Sequence, residues 1–467
     1  MPDAVDPYLL EHAARFEAEL CELLSIPSVS ADSRHNDDTA KAAAWLRDHF
    51  AALGFTVEIH PTAGHPIVLA RSPHIAGKPT VMVYGHYDVQ PPDPLDEWHS
   101  PPFTPTVRNG NLYAHGATDD KGQMFTHVKA AEAWIRAEGN LPLNLIYLIE
   151  GEEEVGSANL EGFLAAHKDE LTCDVIVVSD TSQFGPGQPA ITYGLRGLAY
   201  YELKLQGPKQ DLHSGTFGGA VTNPATALAN ILAALRDGDG RVTVPGFYDD
   251  VVPLEDRERE EFRKLPFSDQ KFFATLQIAG RPSGAGQFDF AVGEAGYSTL
   301  ERRWGRPTFD VHGLTSGYQG EGAKTVLPAK ASAKFSFRLV PAQDPKRITS
   351  GLREKISQLV PPGISWELKD YHGGAAYMMP LDSPYLAAAE RAIEHGFGVR
   401  PVLIREGGSI PITTTFREIL GVDTLLLGWG LDDDNTHSPN EKFHLADFHR
   451  GIKSSSRLWK ELAEKPL

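Results

Sequence analysis

Three short apolar runs constrain the fold of this chain more than any other feature. They are VMVYGHYDV (Val81–Val89), LNLIYLIEG (Leu143–Gly151) and CDVIVVSD (Cys173–Asp180). Each has the length of a strand and is apolar on both faces, which is typical of strands buried on both sides of a sheet. A helical segment that Gly139 can terminate lies between the first two runs. This alternation predicts an α/β fold with a mostly parallel sheet.

The pattern changes after about Gly194. YYELKLQG (Tyr200–Gly207) and AKFSFRLVP (Ala333–Pro341) alternate apolar and polar residues, as half-exposed antiparallel strands do. Between them, Asn223 and Pro224 are placed to begin a helix. These elements predict an α+β module, within which residues 241–322 show weak periodicity and no readable fold.

The α/β pattern returns near Leu381. We expect a helix that begins at Pro384 and ends at Gly396, a buried strand at Val422–Gly430, and a last helix after His444. The chain is therefore predicted to form a discontinuous first domain, residues 1–195 and 381–467, with a second domain inserted at 196–380.

Composition argues against several classes of protein. The chain has 467 residues, with 62 acidic and 44 basic side chains and a formal charge of −18, which disfavours nucleic acid or an anionic membrane as partner. The two cysteines, Cys21 and Cys173, provide no disulfide framework and no thiolate metal site, and they suggest a reducing compartment. The N-terminus lacks the basic start and uninterrupted apolar core of a signal peptide. These features predict a cytoplasmic protein.

Histidines and carboxylates follow the apolar runs or stand in glycine-bounded turns. Each has a simple structural explanation alone, such as turn chemistry or support of a helix N-terminus. Together they predict a divalent-metal site without sulfur at the carboxyl ends of the strands. The residues are His86, Asp88, Asp119, Asp120, Glu152, Glu153, Glu154, Asp180 and His437.

The surrounding motifs resemble those of the co-catalytic zinc peptidase and deacylase family, which includes carnosinases, aminoacylases, succinyl-diaminopimelate desuccinylase and glutamate carboxypeptidases. They run in order over nearly the whole chain, and the YDVQP wording, the spacing and the long insertion most resemble the carnosinase-like dipeptidases. The motifs are GHYDVQP (85–91), GATDDKG (116–122), EGEEEVGS (150–157), SD (179–180), DLHSG (211–215), FSFRLVP (335–341), REGGSIP (405–411) and HSPNEK (437–442).

The resemblance implies two divalent metal ions per subunit. His86 and Asp180 would bind one ion, Glu154 and His437 the other, and Asp119 would bridge both, with a cis peptide bond after Asp119. Zinc is the expected metal, although these ligands would also accept manganese or cobalt.

The resemblance also implies catalytic roles. Glu153 would be the general base for a metal-activated water, and Asp88 would accept the second ring N–H of His86. Glu152 would be a solvent-facing bystander. His213 would stabilise the oxyanion, reaching across from the partner subunit of a homodimer formed through the inserted lid and dimerisation domain.

Five residues of the inserted and final segments match substrate-binding positions of the family. Arg338 in mid-strand suits bidentate capture of a substrate carboxylate, with an ordinary structural salt bridge as the alternative. Gly408 and Ser409 would donate to the same carboxylate, and Thr325 and His372 match further lid positions. Asp180 is an aspartate, as in the dipeptidases and aminotripeptidases of the family, which favours a substrate with a free amino end.

The sequence therefore predicts a dinuclear metal-dependent hydrolase that cleaves dipeptides or short peptides. An N-acyl-amino-acid deacylase is the alternative with the same site. A non-catalytic metal-binding protein would be expected to have lost the base or a ligand, and all are present. A binuclear phosphoesterase would need a phosphate-binding loop, which the sequence does not offer.

Overall fold

The computed structural model describes residues 4–274, 276, 292–408 and 410–464. The chain divides into two compact units. The first comprises Met1–Tyr193, Met379–Ile404 and Thr415–Leu467, and the second comprises Gly194–Met378 and Arg405–Thr414. Arg405–Thr414 thus groups with the second unit, whereas the sequence placed all of 381–467 in the first domain.

The helices and strands have the following bounds. Among the described residues the α-helices are α1 (Val5–Glu11), α2 (Ala13–Leu24), α3 (Asn36–Ala52), α4 (Lys121–Glu138), α5 (Leu160–Ala166), α6 (Ser214–Phe217), α7 (Pro224–Ala234), α8 (Asp256–Lys264), α9 (Asp269–Ala274), α10 (Pro345–Leu359), α11 (Pro384–Phe397), α12 (Pro411–Ile419) and α13 (Leu445–Ala463). The strands are β1 (Thr56–His60), β2 (Ile67–Arg71), β3 (Thr80–His86), β4 (Thr106–Arg108), β5 (Asn111–Tyr113), β6 (Asn144–Glu150), β7 (Val175–Ser182), β8 (Ala190–Leu195), β9 (Gly197–Gln206), β10 (Leu212–His213), β11 (Thr308–Ser316), β12 (Val326–Leu327), β13 (Lys330–Leu339), β14 (Ser365–Gly374), β15 (Tyr377–Met378), β16 (Val402–Glu406), β17 (Thr424–Gly430) and β18 (Lys442–His444).

The first unit is built on a mixed sheet in the order β1-β2-β6-β3-β7-β17-β8. Strands β6, β3, β7 and β17 are parallel to their neighbours within this group, and β1, β2 and β8 add antiparallel pairs on either side. The α/β prediction is confirmed, with parallel pairing at the centre of the sheet. Because parallel strands share a direction, β3, β6 and β7 bring their carboxyl ends to one edge.

Glycines mark the ends and the close contacts of the helices. Helix α4 ends at Gly139, whose φ of 82° is left-handed, as expected from the sequence. The predicted end of α11 at Gly396 is wrong, because the helix continues to Phe397 and Gly398 is its left-handed cap. Gly396 instead faces α13, where an added Cβ would lie 2.0 Å from Ser454 Oγ and 2.7 Å from the Arg450 carbonyl oxygen.

The second unit is an antiparallel sheet in the order β11-β13-β9-β14, with helices on one face. Leu203, Phe335 and Phe337 of the sheet form one core with Leu228 of α7 and Ile356 of α10. The α+β character expected here is observed. The N-terminus of α7 is also as expected, since the Asn223 side chain accepts a hydrogen bond of 2.8 Å from the backbone N–H of the second helical residue.

The weakly periodic stretch, residues 241–322, contains α8, α9 and the edge strand β11. The register of β11 against β13 shifts between Val311 and Gly313. A bulge of this kind breaks the alternation of apolar and polar positions, which is why the sequence pattern did not reveal the strand. Residues 275 and 277–291 of this stretch lie outside the described residues.

Candidate metal centre

His86 is the last residue of β3 and its side chain is buried. Its Nδ1 lies 3.1 Å from the carbonyl oxygen of Asp88, so Nδ1–H donates to that oxygen, and in the neutral ring Nε2 carries the lone pair. Nε2 lies 3.1 Å from Asp119 Oδ1, yet it finds no hydrogen-bond partner of good geometry among the described residues. Burial opposes a charged ring, but the carboxylates of Asp119 and Asp88 outweigh it and hold the pKa of His86 well above its usual value.

Asp119 faces two imidazoles with different oxygens. Its Oδ1 lies near His86, and its Oδ2 lies 3.0 Å from His437 Nε2. Burial would raise the pKa of Asp119, but the two histidines hold it well below its usual range. The Asp119–Asp120 peptide bond is cis, as the resemblance implied. This carboxylate is therefore placed to bridge two cations.

Glu154 and His437 complete the second side of this arrangement. His437 Nε2 lies 3.2 Å from Glu154 Oε2, and Gln90 Nε2 donates to the same oxygen over 2.8 Å. The hydrogen bonds to Asp119 and Glu154 raise the pKa of His437 to about 11. The backbone of His437 is left-handed, with φ 58°, and its side chain is about half exposed.

Asp180 lies in β7, the strand next to β3. Burial, and then the negative charges of Asp119 and Asp120, hold its pKa well above the usual value. One ligand atom each from His86, Asp119 and Asp180 lie within 4.8 Å of one another, and the same holds for Asp119, Glu154 and His437. The structure thus brings all five predicted ligands into two groups that share Asp119.

The donor set fits a pair of divalent ions. Crowded carboxylates and a buried imidazole nitrogen without a hydrogen bond are stabilised by cations, and three protein ligands per ion leave a position open for water. A third group of similar composition, Glu19, His49 and Glu132, does not need a metal. The ammonium of Lys129 already lies among them, paired with Glu19 and 2.8 Å from both His49 Nε2 and Glu132 Oε2.

Asp88 holds the glutamate turn as well as the histidine. Its carboxylate oxygens accept backbone N–H groups from Glu153, over 3.3 Å, and Glu154, over 3.1 Å. The His86 ring N–H lies nearer to the Asp88 carbonyl oxygen, at 3.1 Å, than to Oδ1, at 3.4 Å. The carboxylate therefore orients the turn that presents Glu153 and Glu154, and the backbone oxygen is the nearer acceptor for His86.

Glu153 has the electrostatic environment that a general base needs. Burial raises its pKa to about 7, opposed by His86 and reinforced by the negative charges of Glu154 and Asp119. A carboxyl group with a pKa near the working pH can both accept and return a proton.

Glu152 is not the solvent-facing residue that the sequence suggested. Its side chain is buried, with 7% relative exposure, and it accepts hydrogen bonds from Asn159 Nδ2, at 2.8 and 3.1 Å, and from Thr62 Oγ1, at 3.2 Å. Thr62 lies 90 positions away in sequence, so no local pattern could have shown that this glutamate would be covered.

In the second unit, His213 and Thr325 lie side by side. His213 ends β10, its side chain is exposed, and its Nδ1 accepts the backbone N–H of Gly215 over 3.0 Å. The Ser214 N–H donates to the Thr325 carbonyl oxygen over 3.2 Å. Because Nδ1 is an acceptor, the proton of the neutral ring lies on Nε2, which is free to point outward as a donor.

Arg338 lies in β13, opposite Leu198 in β9. Burial lowers its pKa and Asp310 partly opposes this. A second guanidinium, that of Arg196, is close to Arg338: burial and then the positive charge of Arg338 lower the pKa of Arg196. Arg196 Nε donates to the Gly407 carbonyl oxygen over 3.2 Å.

The remaining predicted substrate residues are only partly described. Gly408 follows Gly407 and has open space where a Cβ would stand. Backbone pairing places His372 in β14 opposite Tyr200, while the His372 side chain and Ser409 lie outside the described residues.

Sequence reasoning missed the residues that hold the predicted ligands in place. Gln90 and Glu441 stand inside the quoted motifs, and their contacts with Glu154 and with the Asp119 turn were not foreseen. The signal that could have indicated Gln90 and Glu441 was the presence of a polar side chain within a motif that carries a predicted ligand. Arg196, whose guanidinium is close to that of Arg338, was also missed.

No helix among the described residues is long and apolar enough to cross a membrane.

Comparison with known proteins yields one family and close relatives along the whole chain. A family model described as peptidase family M20/M25/M40 matches residues 82–461. The Cys-Gly metallodipeptidase dug1 of Schizosaccharomyces pombe is 35% identical over 96% of this chain and 95% of its own length. The crystal structure of human carnosine dipeptidase 1 has a TM-score of 0.78 at 32% identity, covering 99% of this chain and 100% of its own. A metallo-carboxypeptidase from Sulfolobus solfataricus, Sso-CP2, has a TM-score of 0.82 at 32% identity, covering 96% and 99%.

Proposed function

Because this chain belongs to peptidase family M20/M25/M40 and is a hydrolase of peptide bonds, we propose that it is a dipeptidase whose site holds two divalent metal ions. The observation that carries the proposal is the pair of ligand groups that share Asp119. Zinc is the proposed metal, since two imidazoles and three carboxylates are ligands that zinc accepts.

His86, Asp119 and Asp180 would hold one ion, and Asp119, Glu154 and His437 the other. When bound, the ions would polarise the scissile carbonyl and lower the pKa of a nucleophilic water. Glu153 would take the proton from that water and return it to the leaving amine, for which its raised pKa is suited. Asp88 would keep Glu153 and Glu154 in place through their backbone N–H groups.

His213 is proposed to donate Nε2–H to the developing oxyanion. The hydrogen bond that its Nδ1 accepts from Gly215 supports this role, because it selects the tautomer with the proton on Nε2. Hydrogen-bond donors aimed at a developing negative charge are among the largest contributions to catalysis of this kind. Supply of His213 by the partner subunit of a homodimer remains part of the proposal, as does a cytoplasmic location.

A substrate carboxylate is proposed to bind Arg338 and the turn at Gly408 and Ser409, with Thr325 and His372 nearby. The second guanidinium beside Arg338, that of Arg196, supports an anion-binding role. Relatives named for Cys-Gly and carnosine hydrolysis support a dipeptide as substrate, and the carboxypeptidase relative supports recognition of a free carboxylate.

A substrate panel tests the proposal. Purified enzyme loaded with zinc, manganese or cobalt would be offered unblocked dipeptides, the same dipeptides with an amidated carboxyl end, and N-acetyl and N-succinyl amino acids. We expect turnover of unblocked dipeptides, and a large rise in KM when the carboxylate is amidated. Turnover of only the acylated amino acids would contradict the dipeptidase proposal and favour the deacylase.

A further inference from the structure

Glu441 is a buried carboxylate bound to the turn that presents Asp119. Its side chain has 0% relative exposure. Oε1 accepts the backbone N–H groups of Thr118, at 2.9 Å, and Asp119, at 3.1 Å, and Oε2 accepts that of Gly116, at 2.7 Å. One carboxylate therefore satisfies three backbone donors within four residues, and this fixes the direction in which Asp119 leaves the turn.

His115 extends this contact to a second ligand. Its Nδ1 lies 2.8 Å from Glu441 Oε2, and its Nε2 lies 2.6 Å from the carbonyl oxygen of Gln90. Both ring nitrogens face acceptors, so both carry a proton and the ring forms an ion pair with Glu441. The Gln90 side chain in turn donates to Glu154 Oε2. A continuous chain of contacts thus joins the Asp119 turn to Glu154.

The third ligand, His437, is tied to the same pair through its loop. His437 and Glu441 both lie in the loop between β17 and β18, four positions apart. Asp434 fastens this loop by accepting from Leu431 N–H, at 2.8 Å, and from the Thr118 hydroxyl, at 3.0 Å. By contrast, His86 and Asp180 are carried by the paired strands β3 and β7.

We propose that the Glu441–His115 ion pair is a positioning frame for the Asp119–Glu154–His437 metal site, and that the His86 and Asp180 ligands are positioned independently of it by the sheet. The inference rests on the proposed dinuclear site. Neither Glu441 nor His115 is proposed to touch an ion or the substrate. Their role is to keep three ligands from three separate segments in one place.

Glu441→Gln is the variant of choice, because an amide keeps the shape of the side chain but can accept at only one end. Its NH₂ group would face the N–H of Gly116, so the turn must shift. We expect metal content after dialysis to fall from two ions per chain to one, with the affinity of the weaker ion reduced about 10–100-fold, as for other residues that orient metal ligands. Two ions held with unchanged affinity would overturn the proposal, and so would an equal or larger loss of affinity at the His86–Asp180 ion, because that ion shares only Asp119 with the frame.

Two further variants guard against a trivial loss of stability. Glu132→Gln is the matched control, since Glu132 is another buried carboxylate of the first unit, paired with Lys129 and Arg15. It should lower the melting temperature and still retain two ions. Gln90→Met leaves Glu441 intact and removes the donor to Glu154, so it should weaken the same single ion, by a smaller factor. An unaffected second ion in Gln90→Met would contradict the frame even if Glu441→Gln did not fold.

A measurement on metal-free protein separates this inference from the proposed function. Amide hydrogen exchange within Gly116, Thr118 and Asp119 should accelerate in Glu441→Gln, because only one acceptor oxygen remains for three backbone donors that use both oxygens of Glu441. If the unaltered chain failed to bind two ions, the dinuclear proposal would fall while this exchange result still reported on the frame. Unchanged exchange at these amides would overturn the frame whatever the metal content.

Discussion

At the scale of single residues, neighbouring glutamates have different environments. Glu153 is partly buried beside other charges, and burial raises its pKa to about 7. Glu152, one position earlier, is held by Asn159 and Thr62. A run of three identical residues therefore divides into a proposed base, a proposed ligand and a structural anchor, according to what surrounds each carboxylate.

The substitutions Glu152→Gln and Glu153→Gln should have different effects, one on stability and the other on catalysis. Glu153→Gln should lower kcat about 10²–10⁴-fold while two ions remain bound, because a general base is lost and no ligand is. Glu152→Gln should lower the free energy of unfolding by about 1–3 kcal/mol, because one buried hydrogen bond is left unmade, with kcat nearly unchanged. Steady-state kinetics, metal analysis and urea unfolding of both variants would check this. A Glu153→Gln enzyme with normal kcat would refute the base assignment.

The sequence indicated the proposed ligands through recognisable motifs, but it did not indicate the residues that hold them in place. His86, Asp119 and Glu154 stand in motifs whose residue types already indicate metal chemistry. Gln90 and Glu441 act on those ligands across 64 and 322 positions of sequence, respectively. Such contacts depend on the folded path of the chain, which no local spacing reveals.

At the scale of elements, the buried strands were predictable because a short uninterrupted apolar run indicates burial on both faces. Helix ends were predicted from glycine. This prediction succeeded at Gly139 and failed at Gly396. At Gly139 the backbone needs a left-handed conformation. At Gly396 the absence of a side chain permits close packing of α11 on α13. The two uses of glycine look alike in sequence.

Gly396→Ala should destabilise the first unit despite the better helix propensity of alanine. The new Cβ would collide with Ser454 Oγ and with the Arg450 backbone, and such overpacking costs about 1–3 kcal/mol. The matched control is Gly162→Ala in α5, where a Cβ meets nothing within 4 Å. That variant should gain about 0.5–1 kcal/mol. Urea-unfolding midpoints that moved in the same direction for both variants would contradict this explanation.

At the scale of the whole molecule, the chain crosses between the two compact units four times, at 193/194, 378/379, 404/405 and 414/415. The sequence indicated the first two crossings through changes in periodicity. The short return at Arg405–Thr414 was not visible, because ten residues are too few to show a period of their own.

Metal removal should destabilise the chain strongly. Three carboxylates and two imidazoles converge on one another, and a ligand that binds only the folded state stabilises it by about 2.7 kcal/mol at 100 times its Kd. Chelation should therefore lower the melting temperature, and added Zn²⁺ should restore it. A chelator-treated protein that is verifiably free of metal and melts at the original temperature would argue against binding of the ions to the folded site.

The position of β17 has a consequence for synthesis of the chain. In the sheet, β17 lies between β7 and β8, although β7 and β8 are close in sequence and β17 comes more than 220 residues later. During synthesis on the ribosome, the edge of β7 that pairs with β17 stays unpaired until most of the polypeptide has emerged. His437 follows β17, so the last of the proposed ligands arrives together with the strand that closes this gap. A nascent or truncated chain therefore lacks part of the proposed site, and we expect hydrolytic activity to begin only once the fold itself is finished.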